Sequence, residues 1–271
     1  MRPESSLQPR EVPIPAPDRG SVLGVPLAVT DYDEALGWMD AMVATRRRGY
    51  VCVCNVHTVM ASHEDPALHA ALLGSSLNVP DGQPLVWALN SLGHSLRSRV
   101  YGPELMARAC ARAVENGQRF YLYGGRNQGA LFQLALNLRQ RYPGIKIVGG
   151  YSPPHRPLTG EEREAIVEEI NHSRADVVWV GIGVPKQEKW MAEMRHLLDS
   201  PVLVGVGAAF DFHAGLVRQA PNWIQGAGLE WAFRLMNEPR RLWRRYLRYN
   251  PRFLTAFGRQ LVVHRRRHRS V

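Results

Sequence analysis

Three glycine-rich segments of this 271-residue chain follow short apolar runs, and each could place backbone amides against a phosphate group. They are Gly124-Gly125, the segment VGIGVPKQEKW (Val180–Trp190) and the segment GVGAAFDFHAG (Gly205–Gly215). Glycine at the end of a strand lets the backbone approach a ligand, and the N-terminus of a following helix favours an anion. Gly124-Gly125 lacks the dinucleotide spacing G-x-G-x-x-G, so a tight turn without a ligand fits it as well as a binding loop.

Two polar side chains in these segments are candidates for ligand contacts. Gln187 carries donors and acceptors, so it could read a base or a sugar hydroxyl; the alternative is a capped helix with solvated charges. Asp211 lies between two phenylalanines, where a carboxylate must be solvated, paired or hydrogen-bonded. We expect Asp211 to bind a hydroxyl or to serve the fold, and His213 to be an ordinary hydrogen-bonded residue.

The Asp-Gly pair at Asp81-Gly82 supplies a candidate general base. A carboxylate can take the proton from a hydroxyl that attacks another group. Asp-Gly is also a common turn or helix cap. The residues alone therefore leave both roles of Asp81 open.

The elements that must position these residues alternate between short apolar strands and amphipathic helices. This alternation predicts a parallel sheet with helices on its faces. The predicted strands are Val22–Val29, Tyr50–Cys54, Leu77–Val79, Arg119–Tyr123, Ile145–Gly149, Val177–Val180 and Val202–Val206. The predicted helices are Asp31–Arg48, Val56–Leu73 with a restart at Asp65-Pro66, Pro84–Leu92, Gly102–Asn116, Gln128–Tyr142, Gly160–Ser173, Lys186–Leu198 and Pro221–Leu235.

Composition indicates a reduced, cytoplasmic protein without a membrane span. No run of about 18 apolar residues occurs, and the polar, proline-rich residues 1–20 read as a disordered lead-in and not as a signal peptide. The three cysteines are Cys52, Cys54 and Cys110, and a zinc or redox motif would need more ligands and a better spacing than that of Cys52 and Cys54. We expect them to be core thiols.

Positive charge is concentrated at the C-terminal end of the chain. The net charge is +10, and the residues from Arg234 onward include twelve arginines and one acid, Glu238. From Pro239, apolar residues recur at spacings of three and four, with Trp243, Tyr246, Phe253 and Phe257 opposite the arginines. This pattern favours a helix lying on an anionic membrane, with nucleic acid as the competing ligand. The sequence divides into a lead-in (1–20), a core (21–225) and a basic helical appendage (226–271).

Several long motifs together resemble the WecG/TagA/CpsF family of bacterial glycosyltransferases. The most specific are the Asp81-Gly82 turn, VGIGVPKQEKWMAE, GVGAAFDFHAG and GLEWAFRLMNEPRRLWRRYL. CNVHTVM, DGQPLVWAL, RVYGPEL and YSPPHRPLT are typical of a subgroup. The resemblance extends from about Val22 to Leu247.

The resemblance implies a Rossmann-like core with a C-terminal appendage and an inverting transfer that needs no metal. The expected donor is a UDP-sugar, such as UDP-N-acetylmannosamine, and the expected acceptor is a polyprenyl-diphosphate-linked glycan for exopolysaccharide or cell-wall synthesis. It also implies a peripheral location on the inner face of the cell membrane. The implied catalytic residues are Asp81 as general base and Arg99. The implied substrate-binding residues are Asn55, Gln187, Asp211, Arg234, Arg241 and Arg244, to which the residue pattern adds Gly124 and Gly125.

Three positions depart from the pattern of many family members. Val53 replaces a threonine, His57 replaces an acid, and Gln219 replaces an arginine, so the sugar cannot be carried over from the family. Two alternative functions are a nucleic-acid-binding protein that uses the arginine tail and an NAD-type oxidoreductase. The missing G-x-G-x-x-G motif argues against the oxidoreductase. The apolar face of the tail could also pack between subunits of a homo-oligomer.

Overall fold

A six-stranded parallel sheet forms the centre of the computed structural model, which describes residues 14–221, 224, 230–237 and 239–269. The strand order is β4-β3-β8-β7-β5-β6, and every neighbouring pair is parallel. All carboxyl ends therefore meet at one edge, where ligands bind in such sheets. The strands are β3 (Gly49–Cys54), β4 (Leu77–Pro80), β5 (Arg119–Gly124), β6 (Lys146–Tyr151), β7 (Val177–Gly181) and β8 (Val202–Gly205).

Helices cover both faces of the sheet, and each face has its own apolar cluster. One cluster joins side chains of α1, α5, α6 and α9 to the sheet, and the other joins those of α2, α3, α4, α7, α8 and α11. The prediction of a parallel α/β core with helices on both faces is confirmed. The helices are α1 (Tyr32–Ala44), α2 (Val56–Ser62), α3 (Pro66–Leu73), α4 (Gln83–Ser91), α5 (Gly102–Asn116), α6 (Gln128–Arg141), α7 (Gly160–Ser173), α8 (Lys186–Met194), α9 (Ala209–His213), α10 (Glu230–Asn237) and α11 (Pro239–Arg269).

The first predicted strand, Val22–Val29, is wrong, because the chain forms an antiparallel hairpin there. Strand β1 (Arg19–Val22) pairs with β2 (Val25–Ala28), and both turn residues between them have positive φ, 51° at Leu23 and 81° at Gly24. A two-residue turn with this geometry matches the twist of a hairpin. The apolar run concealed the turn, since leucine seldom adopts positive φ.

The described end of the predicted lead-in packs against the core. Ile14 contacts the apolar cluster of one sheet face, and β1 begins at Arg19, within the predicted lead-in. Residues 1–13 lie outside the described part of the chain. So does most of the predicted helix Pro221–Leu235, of which Glu230–Leu235 is helical.

The basic tail helix α11 lies on the core along much of its length. Leu242 and Phe253 are buried, and Tyr249 and Phe257 pack against the apolar cluster to which Phe253 belongs. The expectation of a membrane-facing side is therefore corrected for Phe253 and Phe257, since both pack on the core. A different stripe faces outward, where Trp243, Leu247 and Leu254 are exposed.

Polar contacts fix the tail helix at two places. Glu64, after α2, accepts hydrogen bonds from Arg248 (2.8 Å), the hydroxyl of Tyr249 (3.1 Å) and Arg252. Near its C-terminal end, Gln260 accepts from the amide of Leu23 at 2.8 Å and donates to the carbonyl of Ser21. The helix is thus held in one register over the α2 edge and the β1–β2 hairpin. No helix in the described ranges is long and apolar enough to cross a bilayer.

Candidate active site

A pocket of about 140 Å³ lies between the carboxyl ends of β3 and β4 and the tail helices, and we call it the Asp81 pocket. The core contributes the segment after β3, the Asp81-Gly82 turn and the residues before α5, and the tail contributes one residue of α10 and a face of α11. Its polar lining residues are Asn55, His57, Asp81, Gln83, Arg99, Tyr101, Arg234, Arg245, Tyr246, Tyr249 and Asn250. Four predicted site residues, Asn55, Asp81, Arg99 and Arg234, therefore come together here.

Backbone contacts hold Asp81 at the carboxyl end of β4. Its amide donates to the carbonyl of Cys54 at 2.7 Å, which extends the β3–β4 pairing by one residue. Its Oδ1 accepts from the amide of Gly102 at the start of α5, at 3.2 Å. Asp81 therefore serves as a turn residue, while its half-buried carboxylate also lines the pocket.

The side chain of Arg99 is held beside this turn by the backbone of Asp81 and by the ring of Tyr101. Its guanidinium lies 4.5 Å from the ring centroid of Tyr101, and Nη1 donates to the carbonyl of Asp81 at 3.5 Å. The amide of Tyr101 donates to the hydroxyl of Tyr32 at 3.0 Å. Burial, with a contribution from the Asp81 charge, raises the pKa of Tyr32 to about 12, so this phenol remains neutral beside the site.

Asn55 lies at the N-cap of α2, opposite the Asp81 turn. Its Oδ1 accepts from the amide of Thr58 at 3.2 Å, and Thr58 completes a capping box. This bond fixes the orientation of the Asn55 amide, which lines the pocket. The placement explains why an asparagine follows a buried strand here.

The tail places two arginines in the pocket, one of which sequence reasoning missed. Arg234, a predicted substrate-binding residue, lies over the ring of Phe212, 5.4 Å from its centroid, and lines the pocket. Arg245 lines it too, whereas the predicted Arg244 is exposed and stacks on Trp243 outside it. The side chain of Arg241 lies outside the described part of the structure.

Helical spacing could have identified Arg245. It stands three residues after the buried Leu242 and four before Tyr249, so it belongs to the side of α11 that faces the core. Arg244 is one position away, a rotation of about 100° around the helix. Matching a motif alone does not reveal this phase.

His57 is a neutral group in the same pocket. The pKa of His57 is lowered to about 4, mainly because the ring is buried and also because the positive charge of Arg245 is near. The ring makes an edge contact with Tyr249 at 5.1 Å, and its buried Nδ1 has no hydrogen-bond partner among the described residues. At neutral pH this imidazole can offer an uncharged hydrogen-bonding group to a ligand.

A larger cleft of about 880 Å³ lies at the carboxyl ends of β5, β7 and β8, and we call it the Gly181 cleft. Its floor includes Gly181–Gly183 after β7 and Gly207-Ala208 after β8. The loop 153–158 after β6 forms one wall. Five cationic side chains line the cleft against two acids: Arg126, Arg156, Arg163, Lys186 and Lys189 against Glu193 and Asp211. The excess of cations suits an anion, although Arg126, Arg156 and Lys189 are paired with Asp211, Glu162 and Asp65.

The two glycines after β5 have different physical roles. A Cβ on Gly124 would lie 2.6 Å from the backbone of Gly181, so this glycine permits the close approach of β5 and β7. The amide of Gly125 donates to the carbonyl of Gly181 at 3.0 Å, and Gly125 itself lines the cleft. Of the predicted pair, only Gly125 is placed to meet a ligand.

Asp211 lies on the short helix α9, at the rim of the Gly181 cleft. Arg126 forms a two-bond ion pair with it, at 3.0 and 3.2 Å. This pair joins the segment after β5 to α9. Asp211 thus lines the cleft with a cationic partner that the sequence did not reveal, and its contact with a substrate stays a prediction.

Gln187 supports the cleft from beneath and does not line it. The side chain is 2% exposed, its Oε1 accepts from the amide of Gly183 at 3.2 Å, and its Nε2 donates to Glu188 at 2.9 Å. Burial raises the pKa of the fully buried Glu188 to about 7, opposed by the hydrogen bond from Gln187. Direct reading of a base or sugar by Gln187 therefore remains a prediction, and its observed contacts are structural.

The chain is an α/β protein with two pockets at the carboxyl edge of its parallel sheet, one with a carboxylate among arginines and one cationic and glycine-lined, and this edge is where such sheets bind ligands. Residues 20–267 match the sequence model of the glycosyl transferase WecG/TagA/CpsF family. The chain belongs to this family and is a glycosyltransferase, which confirms the resemblance seen in its motifs.

One relative is the N-acetylglucosaminyldiphosphoundecaprenol N-acetyl-beta-D-mannosaminyltransferase of Bacillus spizizenii. It is 30% identical over 207 residues, which make up 76% of this chain and 77% of the relative. Within the described ranges, no group of three or more His, Cys, Asp or Glu side chains is arranged to hold a metal ion. Metal-independent catalysis stays a prediction.

Proposed function

We propose that this glycosyltransferase moves a sugar from a UDP-sugar in the Gly181 cleft to a hydroxyl of a polyprenyl-diphosphate-linked glycan in the Asp81 pocket. The observation that carries the proposal is the convergence of one carboxylate, Asp81, with the guanidinium groups of Arg99, Arg234 and Arg245. A base for a hydroxyl and cations for a diphosphate are the groups that this reaction requires. The name of the Bacillus relative, which includes a diphosphoundecaprenol acceptor, supports the acceptor class.

The Gly181 cleft fits the nucleotide end of the donor. Lys186 stands at the start of α8, where its charge adds to the positive end of the helix dipole. The glycine-lined floor lets a diphosphate approach the backbone. Tyr123 and Trp190, stacked at 4.1 Å and almost fully buried, support the wall of the cleft.

Transfer proceeds by a single displacement in this proposal. Asp81 takes the proton from the acceptor hydroxyl as its oxygen bonds to the anomeric carbon, and the bond from that carbon to the donor phosphate breaks. UDP leaves with the bonding electrons, so the configuration at the anomeric carbon inverts. The arginines stabilise negative charge on the phosphates, and each such contact is worth about 2.7–4 kcal/mol of barrier by analogy with oxyanion-hole donors.

A panel of UDP-sugars tests the donor and acceptor together. The purified chain is incubated with each UDP-sugar and a synthetic polyprenyl-diphosphate-linked N-acetylglucosamine, and products are identified by mass and by anomeric coupling in NMR. We expect one UDP-N-acetylhexosamine, with UDP-N-acetylmannosamine the first to try, to give a product with inverted configuration. The same reactions with chelator added test metal independence. Retention of configuration would contradict the single displacement in which Asp81 acts as the base.

We also propose that the outer stripe of α11 holds the protein on the inner face of the cell membrane. Trp243, Leu247 and Leu254 are 45%, 67% and 69% exposed, and they lie on one side of the helix. Arginines flank the stripe, as in helices that lie at an anionic interface. A peripheral position would present the Asp81 pocket, partly built by the same helix, to a lipid-linked substrate.

Vesicle binding distinguishes this stripe from general surface hydrophobicity. The double substitution Leu247→Asp/Leu254→Asp should reduce partition onto vesicles containing anionic phospholipid at least tenfold, because two apolar contacts worth about 1.5–3 kcal/mol each are lost. Thermal stability should change little, since both side chains are exposed. Leu73→Asp on α3, 51% exposed, is the matched control and should bind as wild type. Wild-type binding by the double variant would contradict the proposal.

A further inference from the structure

We propose that Glu188 is a positioning residue of the Gly181 cleft, acting by fixing the amide of Gln187, which holds Gly183 in the shape that binds the donor. The inference rests on the proposed function, because it takes this cleft as the donor site. Glu188 lines neither pocket, so it touches no substrate directly. Its effect on the site must pass through another residue.

The side-chain amide of Gln187 is held in one orientation by two hydrogen bonds. Its Oε1 accepts from the amide of Gly183, and its Nε2 donates to Oε1 of Glu188. If the side-chain amide turned by 180°, its NH₂ would face the N–H of Gly183 and its oxygen would face an oxygen of Glu188. The acceptor on Glu188 therefore selects the orientation that binds Gly183.

Gln187 lies between two segments that form walls of the cleft. Gly183 has φ of +80° and lies in the lining segment after β7. On the other side, a Cβ on Gly205 or Gly207 would lie 3.1 or 3.4 Å from the Gln187 amide. Gln187 thus packs as a wedge between the ends of β7 and β8, and a change in its orientation would shift both segments.

Burying the side chain of Glu188 is energetically unfavourable. The side chain is fully buried beside Cys52 and Cys54, and its Oε2 has no hydrogen-bond partner among the described residues. A buried carboxyl with one unsatisfied oxygen is unfavourable for the fold. The bond from Gln187 to Oε1 is the contact that gives this buried carboxyl a role.

Two substitutions in the full-length protein separate this role from simple packing. Glu188→Leu removes the acceptor, so we expect UDP binding to weaken about tenfold and the donor KM to rise similarly, with kcat at saturating donor little changed. Hydrogen exchange of the Gly183 amide should accelerate. Glu188→Gln keeps an acceptor oxygen and should restore wild-type UDP affinity and exchange. UDP binding is measured by calorimetry, and exchange by mass spectrometry.

Unchanged UDP affinity in Glu188→Leu would overturn the inference, as would equal weakening in Glu188→Gln. If the leucine variant does not fold, Glu188→Met provides the same loss of the acceptor with a more flexible side chain. Failure of the wild-type protein to bind UDP would instead contradict the proposed function. In that case, Gly183 exchange in the leucine variant would still decide whether Glu188 holds Gly183.

Discussion

Asp81→Asn is expected to lower the rate of sugar transfer by about 10²–10⁴-fold, the usual contribution of a general base. An amide cannot accept the proton of the attacking hydroxyl. Binding of UDP should be unchanged, because Asp81 lines the Asp81 pocket and not the Gly181 cleft. The expected result is therefore a fall in kcat with an intact donor affinity.

Asparagine is an informative replacement because it separates the two roles that the sequence leaves open. Its Oδ1 can still accept the 3.2 Å bond from the amide of Gly102, so the turn and the start of α5 should persist. Thermal unfolding and circular dichroism check this point. Asp31→Asn, at the N-cap of α1, is the matched control, since asparagine caps a helix as well as aspartate does. Turnover like wild type in Asp81→Asn would remove Asp81 from the chemistry and leave it as a turn residue.

Arg245→Ala is expected to reduce kcat/KM for the lipid-linked acceptor by about 10²–10³-fold. The reason is the loss of one charged contact to a diphosphate, worth about 2.7–4 kcal/mol by analogy with oxyanion-hole donors. Steady-state kinetics with varied acceptor at saturating donor measure the effect. UDP affinity should not change, which distinguishes acceptor binding from donor binding.

Arg244→Ala is the matched control, because the two arginines are neighbours with the same charge and chemistry. Arg244 is exposed and stacks on Trp243, so its removal should alter transfer by less than about threefold, within the range of surface substitutions. Equal losses in both variants would contradict the placement of Arg245 and indicate a general effect of tail charge. An NMR titration gives a second check, since Arg245→Ala should raise the pKa of His57.

Both variants test a site that neither the core nor the tail forms alone. The core supplies Asp81 and Arg99, and the tail supplies Arg234 and Arg245. The bonds from Arg248, Tyr249 and Arg252 to Glu64 keep α11 beside α2, which carries the other wall of the pocket. Deleting the tail would therefore open the site as well as expose the apolar residues beneath it, so single substitutions give the clearer result.

Much of the fold followed from local patterns. Helix α5 has the bounds that its periodicity predicts, Gly102–Asn116, because a proline near its start and Gly117 in the left-handed conformation after it mark both ends. The break at Asp65-Pro66 is likewise where the structure separates α2 from α3. Such signals are local, so a single sequence reveals them.

The features that local patterns did not reveal have a common physical cause, since each depends on packing between distant segments. The hairpin at Leu23-Gly24 depends on an unfavourable backbone conformation that packing enforces. Gln187 reads as a ligand contact in sequence, yet both ends of its amide are bonded within the fold. The choice between Arg244 and Arg245 depends on the phase of a helix relative to the core.

The sequence by itself determined the class of fold, the family, the candidate base and the cationic tail, because strand length, helix periodicity, glycine placement and charge are encoded locally. Only the tertiary structure decided which residues share a pocket. It placed Asn55, Asp81, Arg99, Arg234 and Arg245 together, although they lie up to 190 positions apart in the chain. It also divided the apolar residues of the tail between the core and the outer surface. Contacts over such separations depend on how sheet, helices and tail pack against one another, and no local pattern records that packing.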